Sequence, residues 1–431
     1  MLRGIAVAGV LLGGSVHVAQ ADNPIIQTLY STDPAPYVWN NTVWLFTGHD
    51  ESGATNYDMR DWRLYSSTDM VNWRDWGVMM SLKTFSWARA DAWAGQVIER
   101  DGKFYYYVPV TKNSGGYAIG IGVSDKITGP YKDALGKELL ANGGIDPTVW
   151  IDEDGQAYMY WGHSSAYYVK LNKDMLSYSG GMTSTSVQDF IEGPWLHKRN
   201  STWYLTYSSF GGGNEDIKYA TSTKPTGPWT FKSQIMAPQG KSFTNHAGII
   251  DYKGGSYFFY HNGALPGGGT YSRSVCVEKF SYNGDGSIPK LTMTDAGAPQ
   301  IEALNPYQQV EAETIAFSSG LTTAAKSDGG IYVTSISNND YIKVKGVDFG
   351  TGAASVDLRL AAAAGGGKIE LRVGSLTGTV IATCAVDATG GAQTWKTVSC
   401  PVTGATGKQD LFFKFSGSNY NFDWWQFKQA A

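Results

Sequence analysis

From Asp33 onward, polar and apolar positions alternate in short runs broken by turns, and one phrase returns five times. Its copies read DPAPYVWNNTVWLFTGHD from Asp33, DAWAGQVIERDGKFYYYV from Asp91 and DPTVWIDEDGQAYMYWGH from Asp146. The last two are EGPWLHKRNSTWYLTYSS from Glu192 and HAGIIDYKGGSYFFYHNG from His246. Each copy has a polar head, a short apolar run, a turn of Asn, Asp or Gly, and an aromatic run of period two. That pattern predicts a β-hairpin. Further strand-like phrases follow, among them RLYSSTDMVNWRDWG, GIGVSDKITGPYKD and KYATSTKPTGPWTF. Four strands per unit, repeated at about fifty residues, predict an all-β chain that opens with a five-bladed β-propeller. The innermost strand of each blade lines the axis of such a fold. The head residues, four carboxylates and one histidine, are therefore expected to converge on one funnel.

Past the fifth phrase the texture changes. The stretch GDGSIPKLTMTDAGAPQIEALNPY mixes Gly, Pro and polar residues without periodicity, which suits a closing strand followed by a linker. From Gln309 short alternating strands return, including VEAETIAF, DYIKVKGVDF, KIELRVG, KQDLFFKF and FDWWQFK. They predict a separate β-sandwich of jelly-roll type. The expected division is a leader at 1–21, a propeller at 22–305 and the sandwich at 306–431.

The leader, MLRGIAVAGVLLGGSVHVAQA, has one Arg, an apolar core and a small-residue ending, the marks of a secretory signal cut before Asp22. It is too short and too glycine-broken to span a bilayer, and no later segment is apolar enough. A soluble, exported monomer without a membrane partner is expected. Net charge is −4, with no Lys/Arg stripe that could neutralise phosphates, which argues against nucleic acid. An oxidising compartment suits the cysteines: Cys384 and Cys400 flank a hairpin-like stretch and are expected to form a cross-strand disulfide. Cys276, left over, reads as a buried inert thiol.

The heads carry the chemistry. Asp33 and Asp146 stand in Asp-Pro pairs and Glu192 in Glu-Gly-Pro-Trp. Asp before Pro is a common turn former, yet turn roles need no equivalence between blades, whereas a shared axis forces the groups together. Several carboxylates at one pocket suit metal-assisted chemistry or glycoside hydrolysis. Hydrolysis by inversion needs a protonated acid and an ionised base. A third carboxylate near the acid raises its pKa and keeps it protonated. Trp87, Trp93, Trp161 and Trp195 lie beside these motifs and favour sugar over phosphate.

The phrases STDPAP, GGIDPTVWID and FIEGPW, in that order, make residues 24–300 resemble glycoside hydrolase family 43, whose members are five-bladed and inverting. The resemblance implies that Asp33 is the general base, Glu192 the general acid and Asp146 the carboxylate that tunes and orients it. It also implies that His246 sits near the axis, where in some members it approaches a cation through water, and that Arg273 reaches the sugar subsite. Asp91, in ADAWAGQV where many relatives differ, is left with a substrate-hydroxyl contact. The stretches TGHDESGATNYDMRDWRLYSSTDMVNW and LKTFSWARADAWAGQVIERDGKFYYYVPV are similar to the branch that removes α-L-arabinofuranosyl side groups from arabinoxylan. Trp87 and Trp93 fall within it as expected substrate contacts.

The C-terminal third, about 307–428, resembles a family 6 carbohydrate-binding module through VEAE, NNDYIKV and SNYNFDWWQF. That resemblance implies that Tyr341 and Trp395 sandwich a sugar ring while Asn421 hydrogen-bonds it. It also implies that Glu311, Glu313 and Asp423 hold a structural calcium ion, for which carboxylate oxygens are suited. The expected partner is arabinoxylan or a related plant cell-wall polysaccharide. A β-xylosidase or arabinanase on the same scaffold, or a catalytically silent polysaccharide-binding protein, are the alternatives.

Overall fold

The computed structural model describes residues 22–141, 143–238 and 240–430. The expected leader, residues 1–21, lies outside the described residues. Regular structure is almost entirely strand, and among the described residues the helical elements reduce to one 3-10 turn at Leu82–Thr84. Among the described residues no helix is long and apolar enough to cross a membrane.

Each repeated phrase forms the first hairpin of an antiparallel sheet. The first strands of these hairpins are Ser31–Trp39, Gln96–Arg100, Thr148–Ile151, Glu192–Arg199 and Gly248–Tyr252, and in the second sheet a short strand, Ala88–Ala90, precedes the hairpin. These first strands adjoin one another in cyclic order, and the fifth returns to the first. Between the sheets pack Phe46, Trp62, Tyr106, Phe258 and Tyr260, all buried, which is where the aromatic alternation of the phrases is used. Burial of aromatic faces of this size dominates core energetics.

The fifth sheet has three strands, not four. The expected closing strand after Gly284 is not formed, because its prolines and glycines cannot sustain a ladder. The edge of Ser274–Phe280 is covered instead by the start of the described chain. Ile25 N–H donates to Val275 O (2.8 Å), and Asn23 Oδ1 accepts from Val277 N–H (3.0 Å).

Residues from Val310 onward form two further sheets, with a core of their own that includes Val344, Leu358, Phe413, Phe422 and Trp425. The stretch expected to act as a linker does not hold the two units apart. Thr314–Ile315 adds an edge strand to the first sheet beside Trp73–Ser81. Lys343 and Lys345 reach Asp22 (2.8 and 3.2 Å), and Asn72 Nδ2 donates to Lys345 O (2.9 Å). The expected disulfide Cys384–Cys400 is present, with Cα atoms 5.7 Å apart. It joins strands of different sheets and not the two arms of one hairpin. Cys276 is buried, and desolvation pushes its thiol well up, in keeping with an inert residue.

Candidate active site

Three of the head residues adopt left-handed backbone: Asp33 (φ 51°), Asp91 (φ 68°) and Asp146 (φ 58°). Asp tolerates this region better than most residues because its short side chain bonds locally. In the fourth sheet the same place is held by Gly193 (φ 57°), not by Glu192. The ladders agree: Thr32 pairs Gly48 and the register resumes at Ala35–Phe46, just as Glu192 pairs Ser208 and resumes at Trp195–Thr206. Glu192 is thus equivalent to Thr32, one residue ahead of the expected position. A side chain at 193 is excluded, since a Cβ there would lie 2.8 Å from the His246 ring.

The ring it would meet is the hub of the site. His246 Nδ1 lies 3.2 Å from Asp33 Oδ1, while Nε2 lies 3.2 Å from Glu192 Oε1 and 3.8 Å from Asp146 Oδ2. Asp146 Oδ2 also accepts the Gly193 N–H (3.1 Å). Three carboxylates from three sheets therefore meet one imidazole from a fourth. They floor a cavity of about 270 Å³, and the expected convergence of Asp33, Asp146, Glu192 and His246 is what the structure shows.

Arg273, buried, closes one side. Its guanidinium grips Asp50 twice (Nε–Oδ2 2.9 Å, Nη2–Oδ1 2.8 Å), and Nη1 reaches Asp33 Oδ1 (3.3 Å) and Thr244 Oγ1 (3.0 Å). Tyr57 stacks over it at 4.9 Å. Beneath Asp33, His261 Nδ1 accepts the Asp33 N–H (3.2 Å) and Nε2–H donates to Thr244 O (2.9 Å). Burial, with Arg273 and His246 nearby, drives the His261 pKa well down, so this ring is the neutral tautomer those bonds require.

The charges sort sharply. Burial opposes charge on His246, but Asp33, Asp146 and Glu192 outweigh it and push its pKa up to about 10. Asp146 is pushed up to about 7, by burial first and then by Glu192 and Asp33. Glu192 runs the other way. Burial would raise it, yet hydrogen bonds from His163 and His246 hold it well below the usual carboxylate range. His163 Nδ1 is 3.0 Å from Glu192 Oε2. In the free protein the proton expected on Glu192 therefore rests on its neighbours.

Other expected contacts divide. Trp93 lines the pocket, its indole N–H bound to Tyr57 O (3.0 Å). Trp87 does not; it faces Phe85 and donates to Asp133 (2.9 Å). Trp161 and Trp195 are buried core. Asp91 is taken up by Thr111 and stays outside the cavity lining, because its hydroxyl partner lies on its own sheet. Residues that sequence reasoning missed are Tyr57, Tyr117, His163, Phe210, Glu215 and Phe243, all at the pocket. Glu215 is a fourth buried carboxyl, pushed up to about 8 by burial and then by Glu192.

In the C-terminal unit the expected sugar sandwich is not assembled from Tyr341 and Trp395. Tyr341 lies on the opposite sheet, stacked on Phe317 (6.2 Å). Trp395 pairs with Tyr332 (5.3 Å), with Arg359 at 5.7 Å from its ring. Asn421 is on that same sheet, bonded to Thr334 (2.7 Å) and Ala392 O (2.6 Å).

The expected calcium ligands do not converge either. Both Asp423 oxygens are occupied, by Lys326 and Arg359 at 2.8 Å each, while Glu311 and Glu313 each lie 3.7 Å from Arg74. Glu311 pairs with Trp424, so on an alternating strand Asp423 points to the other face. As arranged, these residues do not fit the ion. Among the described residues two other groups hold ligand atoms within 4.8 Å: His49 with Glu51 and Asp61, and Asp146 with Glu192 and His246. In the second, both His246 nitrogens already face carboxylates, which closes it to direct ligation. A second cavity of about 30 Å³ adjoins the same imidazole, with Gln96, Asp146 and His246 in its lining.

The family model described as glycosyl hydrolases family 43 matches residues 21–288, and the carbohydrate binding module (family 6) matches 311–429. An arabinoxylan arabinofuranohydrolase of Bacillus subtilis (strain 168) is 34% identical, across 94% of this chain and 92% of its own length. A xylosidase/arabinosidase of Bacteroides ovatus is 29% identical over 60% of this chain and 94% of its own. Among solved structures, a Bacillus subtilis family 43 arabinoxylan arabinofuranohydrolase in complex with cellotetraose superposes with TM-score 0.85 at 33% identity, covering 95% of this chain and 98% of that one. A β-xylosidase/α-arabinofuranosidase from a compost metagenome, in a calcium-free form with xylotriose, gives TM-score 0.60 at 28% identity, covering 66% and 99%. The chain belongs to the glycosyl hydrolases of family 43, with a family 6 carbohydrate-binding module at its C-terminal end.

Proposed function

We propose that the chain is an exported, inverting glycoside hydrolase that removes α-L-arabinofuranosyl side groups from arabinoxylan. The observation that carries this reading is the meeting of Asp33, Asp146 and Glu192 around His246 at the floor of a single pocket. Asp33 activates water and Glu192 protonates the leaving xylan oxygen. One imidazole spans the gap between their oxygens, which is compatible with the roughly 6.5–9.5 Å an intervening water requires. Asp146 shares His246 Nε2 with Glu192, and its negative charge, once it ionises, raises the Glu192 pKa and favours protonation of the acid. Cyclic adjacency of the five first strands supports a five-bladed propeller at 22–305, and the two sheets beyond support a jelly-roll sandwich at 306–431.

The mouth of the pocket supports a polymer as substrate. Two aromatic pairs flank it: Trp93 with Tyr117 (5.2 Å) from the second sheet, and Phe210 with Phe243 (6.0 Å) beside the fourth. Tyr117, Phe210 and Phe243 are 40, 53 and 38% exposed, unusual for side chains this large. Flat apolar faces suit pyranose rings of a main chain, with one pentose branch turned down into the cavity. A cation belongs to this reading only in the propeller unit, bridged to His246 through water. Product analysis on arabinoxylan and on unbranched xylo-oligosaccharides tests the assignment, with Glu192→Gln as blank. Free arabinose from the first alone is expected. Xylose from the second would move the activity to a β-xylosidase, which the Bacteroides ovatus relative makes the nearest rival.

A further inference from the structure

We propose that His163 loads the general acid: it hands its Nδ1 proton to Glu192 Oε2 and swings aside as the glycosidic oxygen takes its place. This rests on the reading of Glu192 as the acid. Glu192 has an imidazole on each oxygen, His246 at 3.2 Å on Oε1 and His163 at 3.0 Å on Oε2. The two are not alike. His246 is buried and tied on its other nitrogen to Asp33, whereas the His163 side chain is 58% exposed at the pocket mouth. His163 follows Trp161 and Gly162 at the end of a hairpin, and Gly162 (φ 149°) gives the backbone there a conformation other residues rarely take. An exposed side chain on such a turn can leave without disturbing the core. Oε2 is therefore the oxygen that a leaving group can reach.

The protons balance. Before substrate binds, the pair is imidazolium and carboxylate. As His163 departs, its Nδ1–H bond breaks and an Oε2–H bond forms, leaving a neutral ring and a neutral acid. That proton passes to the leaving xylan oxygen when the glycosidic bond breaks. Asp33 takes one proton from the attacking water and releases it to solvent. His163 regains a proton from solvent and returns to the ionised Glu192. Other charged groups facing the pair are Asp146 and His246, with Glu215, Asp33 and Arg273 further along the cavity wall. The Glu192 contact raises the His163 pKa, so the pair retains one proton to higher pH than Glu192 alone could.

The test compares kcat/KM for arabinoxylan and for 4-nitrophenyl α-L-arabinofuranoside, whose good leaving group needs little protonation. His163→Asn and His163→Gln are expected to lose about 100-fold on arabinoxylan and at least about tenfold less on the aryl substrate. The arabinoxylan loss should deepen as pH rises, and free imidazole should restore part of it. The aryl rate also reports that each variant is folded. Glu192→Gln is measured alongside. If it shows the leaving-group bias and the His163 variants lose equally on both substrates, or lose nothing, the loading role is overturned. If Glu192→Gln itself lacks the bias, Glu192 is not the acid and the proposal falls with that assignment.

Discussion

His246 Nε2 stands 3.2 Å from Glu192 Oε1, and this contact ties the fifth sheet to the fourth at the floor of the pocket. Its other nitrogen binds Asp33 of the first sheet, so one buried cation holds acids that would otherwise repel.

That arrangement has a signature in stability. The imidazole stays charged to about pH 10 in the fold but only to about 6.5 when unfolded. A raised folded pKa means its contribution is full below about 6.5 and is lost as pH climbs through 10. Urea unfolding should show wild type losing stability between about pH 7.5 and 9.5. His246→Gln should be weaker at the lower pH by about 3 kcal/mol, since it strands buried carboxylates, and should lose less across the interval. Parallel curves would contradict the bridging role.

Truncating the mouth should separate polymer from small substrate. Phe210→Ala and Tyr117→Ala each remove an exposed ring at the rim and touch none of the carboxylates. KM for arabinoxylan should rise about tenfold, equivalent to about 1.4 kcal/mol of stacking, with kcat/KM for the aryl arabinofuranoside little changed. Equal losses on both would place these rings inside the monosaccharide site.

In the module, Trp395 and Tyr332 form one aromatic pair with Asn421 on the same sheet, and Tyr341 faces elsewhere. Retention on insoluble arabinoxylan should fall about tenfold in Trp395→Ala and in Tyr332→Ala, and stay put in Tyr341→Ala. The reverse order in a pull-down would restore Tyr341 as the binding residue.

The Cys384–Cys400 bridge closes a loop of sequence separation 16 and crosses between two sheets. Replacing both residues by Ser should cost about 3 kcal/mol of module stability through the larger entropy of the unfolded chain. Calorimetry with and without reductant measures it, and the variant should ignore the reductant.

The repeated hairpin phrase made the all-β character, the heads and the four converging residues legible from sequence alone. What it hid lies at the other end of the same phrases. An antiparallel hairpin brings its last residues back to the end where it began, so Asp50, His163 and His261, each at or near the end of a copy, arrive at the axis. Asp50 is joined to Asp33 through Arg273, while His163 and His261 meet the heads of the next copies round the ring, Glu192 and Asp33. The one-residue offset of Glu192 was invisible because Gly193 supplies the left-handed turn that Asp supplies elsewhere. Tryptophan identity could not separate Trp93 at the pocket from Trp161 and Trp195 in the core, since both environments reward a large flat ring. The acids of VEAE and FDWW were matched by type, while strand pairing decides which face each carboxylate takes.

The most direct measurement is the anomeric form of the first product, followed by proton NMR as wild type acts on arabinoxylan, with Glu192→Gln as the blank. Inversion by Asp33 and Glu192 requires free β-L-arabinofuranose to appear first, before mutarotation, and to be absent with the variant. Initial release of the α-anomer, or of arabinose by Glu192→Gln at the wild-type rate, would contradict it.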